Sequence, residues 1–183
     1  MKKIIVSSLI VLITSIMIFA VYYYNYRTTR VSETTVVSKN ALFNNEDRKP
    51  PVGWLHYKNT NYYISIFYPD YLKASQRSEG EGTMSVTFQN PTLGKGFQIF
   101  VVPYYEKQIS EERFKKDVPT GVRIDPKDIQ VDGERAVAFY SKDLSLGETY
   151  EVWFIKNGFL YEVTTLKSLD TWLPDIISSW KFS

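Results

Sequence analysis

Glu151-Val152-Trp153-Phe154-Ile155-Lys156-Asn157-Gly158-Phe159-Leu160-Tyr161-Glu162-Val163 reads as two strands joined by a two-residue turn. Asn-Gly suits a turn whose two central residues both take positive φ, and between apolar runs it is the strongest short hairpin signal. The strands extend over 148–156 and 159–166. Val152 and Phe154 alternate with Glu151, Trp153 and Ile155, so the first strand has two distinct faces. A second hairpin lies just upstream, where Asp132-Gly133 joins 129–131 to 134–140.

Working back toward the N-terminus, more strands appear. The stretch 62–68 is apolar on both faces, with Ile64 and Ile66 against Tyr63 and Phe67, and Pro69 ends it. A strand covered on both sides implies layers above and below a sheet. Ser78-Glu79-Gly80-Glu81-Gly82 reads as a turn. In 83–89, Met84, Val86 and Phe88 alternate with Thr83, Ser85 and Thr87; Asn90-Pro91 breaks the run. A further strand covers 96–102 and closes at Pro103.

Two helices are expected. Ser110 is an N-cap, and Glu111 and Glu112 fill the positive first turn of a short helix. Lys115 and Lys116 follow four residues on. Phe114 and Val118 face inward and Pro119 stops the helix. At the C-terminal end Leu169, Trp172, Leu173, Ile176, Ile177 and Trp180 form one wide apolar stripe. Pro174 belongs in the first turn of that helix.

The N-terminal end has a different character. Residues 4–24 carry no charge, and 21 residues of helix span about 31 Å, close to the hydrocarbon thickness of a bilayer. Tyr22, Tyr23 and Tyr24 stand where headgroups would be. The run is longer than a signal-peptide core, and Ile18-Phe19-Ala20 makes a poor cleavage site. We therefore expect a retained anchor at 1–26, a polar tether at 27–53 ending in Pro50-Pro51, and a globular domain at 54–183. Lys2 and Lys3 place the N-terminus inside and the domain outside, although Arg27 and Arg30 nearly balance them. Ser7, Ser8, Thr14 and Ser15 share a helix face that suits either helix pairing or bonds to carbonyls one turn back. The lipid bilayer is the first expected partner.

The chain has 22 basic and 20 acidic residues. Setting aside Lys2 and Lys3, the remainder is formally neutral, which argues against nucleic acid as a partner. With no cysteine, disulfides, zinc-thiolate sites and cysteine nucleophiles are excluded. His56 is the only histidine, and no G-x-S-x-G elbow accompanies it; we read it as a strand-edge residue. No phosphate loop, dinucleotide fingerprint or H-E-x-x-H is present; Gly94-Lys95-Gly96 is a lone turn. Asp125, Asp128, Asp132 and Glu134 lack EF-hand spacing, leaving only a looser calcium loop. Glu79 and Glu81 could act as an acid and base on sugars, but a solvated turn accounts for them. Tyr104-Tyr105 is either an exposed patch for a partner or half-buried packing. No catalytic, cofactor or metal-ligating residues are assigned.

The order of elements resembles the PsbP-like domain family. Ile64-Ser65-Ile66-Phe67-Tyr68-Pro69-Asp70-Tyr71 is similar to the family's apolar-strand, Y-P-x-x-aromatic opening. Phe97-Gln98-Ile99-Phe100-Val101-Val102-Pro103, then Ile109-Ser110 and a short helix, is similar to its second landmark. Asn157-Gly158-Phe159-Leu160-Tyr161-Glu162-Val163, with a helix closing on Ser178-Ser179-Trp180, is similar to its third. The resemblance covers about 54–183. It implies an α+β fold in which an antiparallel sheet lies between helices on both faces, an α/β/α sandwich. It also implies action by docking on partners rather than catalysis. The chain departs from the photosystem members of the family in its anchor and in lacking a plastid transit pattern. The resulting expectation is a membrane-anchored extracytoplasmic binding or assembly module with a protein partner, in the plasma membrane. The alternatives are an envelope enzyme acting on glycans through carboxylates, and a minor pilin-like subunit. The pilin reading is weakened because no glutamate lies near the start of the apolar run.

Overall fold

The computed structural model describes residues 48–118 and 120–182, within one compact unit, Glu46–Ser183. The expected anchor at 1–26, its hydroxyl face, most of the tether and the stop at Pro119 lie outside the described residues. Among the described residues no helix is long and apolar enough to cross a membrane.

Among the described residues nine strands make two antiparallel sheets. β1 (Trp54–Asn59) and β2 (Ile64–Pro69) form a two-stranded sheet. The other seven are β3 (Lys73–Gly80), β4 (Thr83–Asn90), β5 (Lys95–Pro103), β6 (Ile124–Val131), β7 (Glu134–Asp143), β8 (Gly147–Lys156) and β9 (Phe159–Leu166), in the order β3-β4-β5-β9-β8-β7-β6. Both predicted hairpin turns form. Asp132 and Gly133 have φ of 47° and 82°, and Asn157 and Gly158 have 52° and 80°. In β5, a Cβ at position 96 would lie 2.7 Å from the Phe88 carbonyl oxygen, so only glycine allows this approach of β5 to β4.

The expected turn at 78–82 is mostly strand. β3 runs through it, and Glu81 and Gly82 alone make the turn. Every residue of β3 is exposed, so no apolar alternation marks it. Both edges of the large sheet discourage further pairing. β3 presents Lys73, Arg77 and Glu79, and β6 carries Pro126 within a register shift between Ile124 and Lys127.

The first face of the large sheet holds the main core. Val86, Phe88, Ile99, Val152, Phe154, Tyr161 and Val163 pack there against Ile64, Ile66 and Tyr68 of β2. The Tyr161 hydroxyl donates to the Tyr62 carbonyl at 2.9 Å, tying the two sheets together. α2 (Leu173–Ser178) closes the remainder, with Pro174 in its first turn as expected. The Ser179 hydroxyl oxygen accepts from the Phe67 amide at 2.9 Å, and Ser65 exchanges backbone bonds with Lys181.

The expected α/β/α sandwich with helices on both faces is corrected. The domain is mostly sheet, and its helices are few and short. α2 has six residues, because Lys167–Leu169 forms a separate 3₁₀ turn and Pro174 cannot sit deeper in a helix. The β1–β2 hairpin supplies most of the cover on this face. On the second face α1 (Glu111–Asp117), with seven residues, covers only a part. Its N-cap forms as expected, Ser110 Oγ accepting from the Arg113 amide at 3.1 Å. Phe114 packs edge-on to Phe139 and near Trp153, with ring centroids 5.6 and 5.8 Å apart. Tyr104, Val118 and Leu160 complete this smaller cluster.

Candidate functional site

Beyond α1 the second face is polar and open. The hairpin register puts Glu151 opposite Thr164 and Trp153 opposite Glu162. Glu151 and Glu162 are therefore diagonal neighbours on one face, roughly 7–8 Å apart at the backbone. With Thr149, Trp153 and Thr164 they form the floor of a pocket of about 350 Å³. Asp117 of α1 and Val118, its C-cap, wall one side, and Gln98 and Phe100 of β5 the other. Lys116 and Lys142, both exposed, stand at the rim.

Two carboxyl groups at the centre of a sheet are unusual, and their surroundings differ. Glu151, 5% exposed, accepts hydrogen bonds from the Thr149 hydroxyl at 2.7 Å and the Thr164 hydroxyl at 2.6 Å. The Trp153 indole N–H adds a longer contact of 3.4 Å. Burial pushes the Glu151 carboxyl above its ordinary value, and these three donors oppose that rise. Glu162, 7% exposed, is poorly supplied. Its Oε1 is buried and accepts no hydrogen bond. The Arg113 guanidinium lies 3.6 Å away, beyond hydrogen-bond range, and is paired with Asp117 one helical turn on. Burial, then a hydrogen bond to Asp117, pushes Glu162 up to about 10. Glu162 therefore favours its protonated form more strongly than an ordinary carboxyl does.

The candidates from sequence lie elsewhere. His56, in β1, is hydrogen-bonded to Ser65 Oγ at 2.8 Å and sits edge-on to Phe67, which suits its expected place on an edge strand. Glu79 and Glu81 are exposed and do not line the pocket; Glu79 accepts from Ser85 at 2.8 Å. The acidic series is spread over a hairpin and paired with cations: Asp128 with Arg135, Glu134 with Lys156, and Asp132 with Lys181. Among the described residues no group of three His, Asp or Glu is placed to hold a metal. Tyr104 and Tyr105 part company, the first buried and the second 88% exposed. The Tyr104 hydroxyl accepts from the Ser110 amide at 3.0 Å and donates to the Gln108 carbonyl, which sets the start of α1.

Sequence reading placed Glu151 with Trp153 on one face of an alternating strand and gave neither Glu151 nor Glu162 a role. A signal was present. The Asn157-Gly158 turn sets the pairing, and the pairing puts both acids beside Trp153 on one face.

No protein-family model and no curated protein matches the chain. Among solved structures, the solution structure of cyanobacterial PsbP (CyanoP) from Synechocystis sp. PCC 6803 is similar, with a TM-score of 0.52. The match covers 72% of this chain and 93% of that one, at 13% identity. The fold is PsbP-like. The resemblance seen in three short motifs therefore extends to the arrangement of the chain, and at this identity it speaks for fold alone. The PsbP-like frame accounts for the antiparallel sheets.

Proposed function

We propose that this protein is a binding module of an extracytoplasmic membrane surface, held there by the apolar run at 4–24 and recognising its target through the open pocket on the β8–β9 face. The pocket carries the reading. It is of ligand-binding size, concave, and built from buried polar groups on rigid central strands. Its hydroxyl groups and Arg113 point at carboxylates rather than at a nucleophile, and His56 is not in its lining. That favours recognition without catalysis, in keeping with the docking role that the PsbP resemblance implies.

A membrane-impermeant crosslinker applied to intact cells tests location and pocket together. We expect a recurrent crosslinked partner with the wild-type chain and its loss with Gln98→Trp, which fills the pocket mouth from an exposed position. Failure of the domain to react at all overturns the orientation, and an unchanged pattern in Gln98→Trp overturns the pocket.

A second reading keeps the glycan enzyme in view, because a protonated Glu162 beside Glu151 resembles an acid and its partner carboxylate. Turnover of purified cell-wall glycan, abolished in Glu162→Gln, would establish it.

A further inference from the structure

Resting on the reading of 4–24 as a membrane anchor, we infer that the domain also touches the bilayer itself, seating one end of its large sheet in an anionic headgroup layer. The strand register gathers several turns at that end, where β4 passes to β5, β7 to β8 and β9 to α2. The segment before β1 joins them, because the Gly53 carbonyl accepts from the Asp70 amide at 2.9 Å. Val52, Tyr71, Leu93, Leu144 and Leu146 are all exposed there, Leu144 by 83%. Single exposed hydrophobics are ordinary, but these collect on turn tips at one end. The Leu93 and Leu144 turns stand about 14 Å apart, three strand spacings.

Local bonds fix how these tips are presented. Asp143 Oδ1 accepts from the Ser145 and Leu146 amides, both at 2.7 Å, and Gly147 completes the turn with a φ of 79°. Asn90 Oδ1 accepts from the Leu93 amide at 3.2 Å, and Asn90 Nδ2 donates to the Tyr71 carbonyl at 2.9 Å. The charge around the tips suits anionic lipid. Asp143 is occupied by its turn, Glu148 pairs with Lys167, and Asp170 accepts from the Tyr140 hydroxyl. That leaves Asp70 open against Lys73, Lys95 and Lys142, which join no ion pair among the described residues. Lys95 lies over the rings of Tyr71 and Trp172, at 5.7 and 6.0 Å. Aromatic rings and lysine stems of this kind favour the headgroup layer. Exposed Thr92, Ser145 and Ser168 separate the apolar tips. A fluid headgroup layer accepts separate tips, whereas a protein partner's surface calls for a contiguous dry patch. The tether at 27–47 reaches at most about 70 Å when extended, enough to lay this end on the surface. Lys142, Asp143 and Leu146 also line the pocket, so seating their turn brings the pocket to the membrane.

Because the chain has no cysteine, one introduced cysteine carries a fluorophore without ambiguity. The full chain, labelled with nitrobenzoxadiazole in Leu93→Cys, Leu144→Cys or Tyr105→Cys, is reconstituted in vesicles of equal parts phosphatidylcholine and phosphatidylglycerol, with and without spin-labelled acyl chains. Tyr105 is 88% exposed but lies at the opposite end, beside the Asn157-Gly158 turn. We expect the labels at 93 and 144 to lose at least about half their emission to the spin-labelled lipid, and the label at 105 to lose little. Lys73→Glu combined with Lys142→Glu, or added salt, should reduce the quenching at 144. A chain that does not float with the vesicles overturns the anchor and the seat together. Flotation with 93 and 144 unquenched overturns the seat and leaves the anchor; if those labels are nevertheless shielded from iodide in native membranes, this end docks on a protein. Equal quenching at 105 and 144 also overturns the seat, since the domain then lies on the bilayer without choosing this end.

Discussion

Trp180→Ala lowers the melting temperature of the full chain by on the order of 10–20 °C, from a loss of roughly 3–5 kcal/mol. Trp180 is 1% exposed and sits where α2 docks on the large sheet. Its ring meets Phe154 edge-on at 5.0 Å and Tyr161 at 5.8 Å, and both are central-strand residues. Removing the indole leaves a cavity that stacked strands cannot collapse to fill. The loss is apolar, since the Trp180 indole N–H has no acceptor within hydrogen-bond range. Trp180→Phe therefore costs well under half as much: it keeps a ring and removes an unpaired donor. Trp172, half-buried and edge-on to Phe97 at 6.0 Å, gives a smaller drop on truncation. Thermal unfolding followed by circular dichroism measures all three. Equal effects of Trp172→Ala and Trp180→Ala would show that α2 does not dock as described.

Glu162→Gln stabilises the fold at pH 8 and changes it little at pH 5. The folded-state proton affinity of Glu162 is raised, chiefly by burial, from the ordinary carboxyl value to about 10. Between about pH 4.5 and that value the folded chain binds a proton that the unfolded chain has lost. Stability is then complete below the unfolded pKa and falls as pH rises, by up to about 1.4 kcal/mol per unit for a single group. Coupling to Asp117 and Arg113 dilutes that slope, so we expect a gain of roughly 1–3 kcal/mol for the glutamine at pH 8. Urea unfolding midpoints at pH 5 and pH 8 decide the matter; a glutamine variant less stable at pH 8 would mean that Glu162 is ionised and well paired.

Much of the frame is legible in the sequence. Asn157-Gly158 and Asp132-Gly133 specify their hairpins locally, because few other residue pairs accept two successive positive φ angles. Ser110 caps α1 through its own side chain, and Pro174 sits where a helix tolerates it. β3 was not legible, because its exposed residues carry no alternation and its pairing with β4 is the only thing that makes it a strand. Nor was the sparse helical cover, since hydrophobic stripes reveal which face is buried but not whether a helix or a hairpin buries it.

The sequence by itself determined the apolar segment at 4–24, the absence of cysteine chemistry, the hairpins and the aromatic core, because each follows from local composition or short-range geometry. Only the tertiary structure decided the fate of Glu151 and Glu162. Along a strand they look like any pair of solvent-facing acids. Central position in a seven-stranded sheet, with α1 laid against one side, removes them from water and gives one of them three donors and the other only the edge of the Arg113–Asp117 ion pair. Desolvation is a property of everything packed around a group, and no stretch of neighbouring residues contains it.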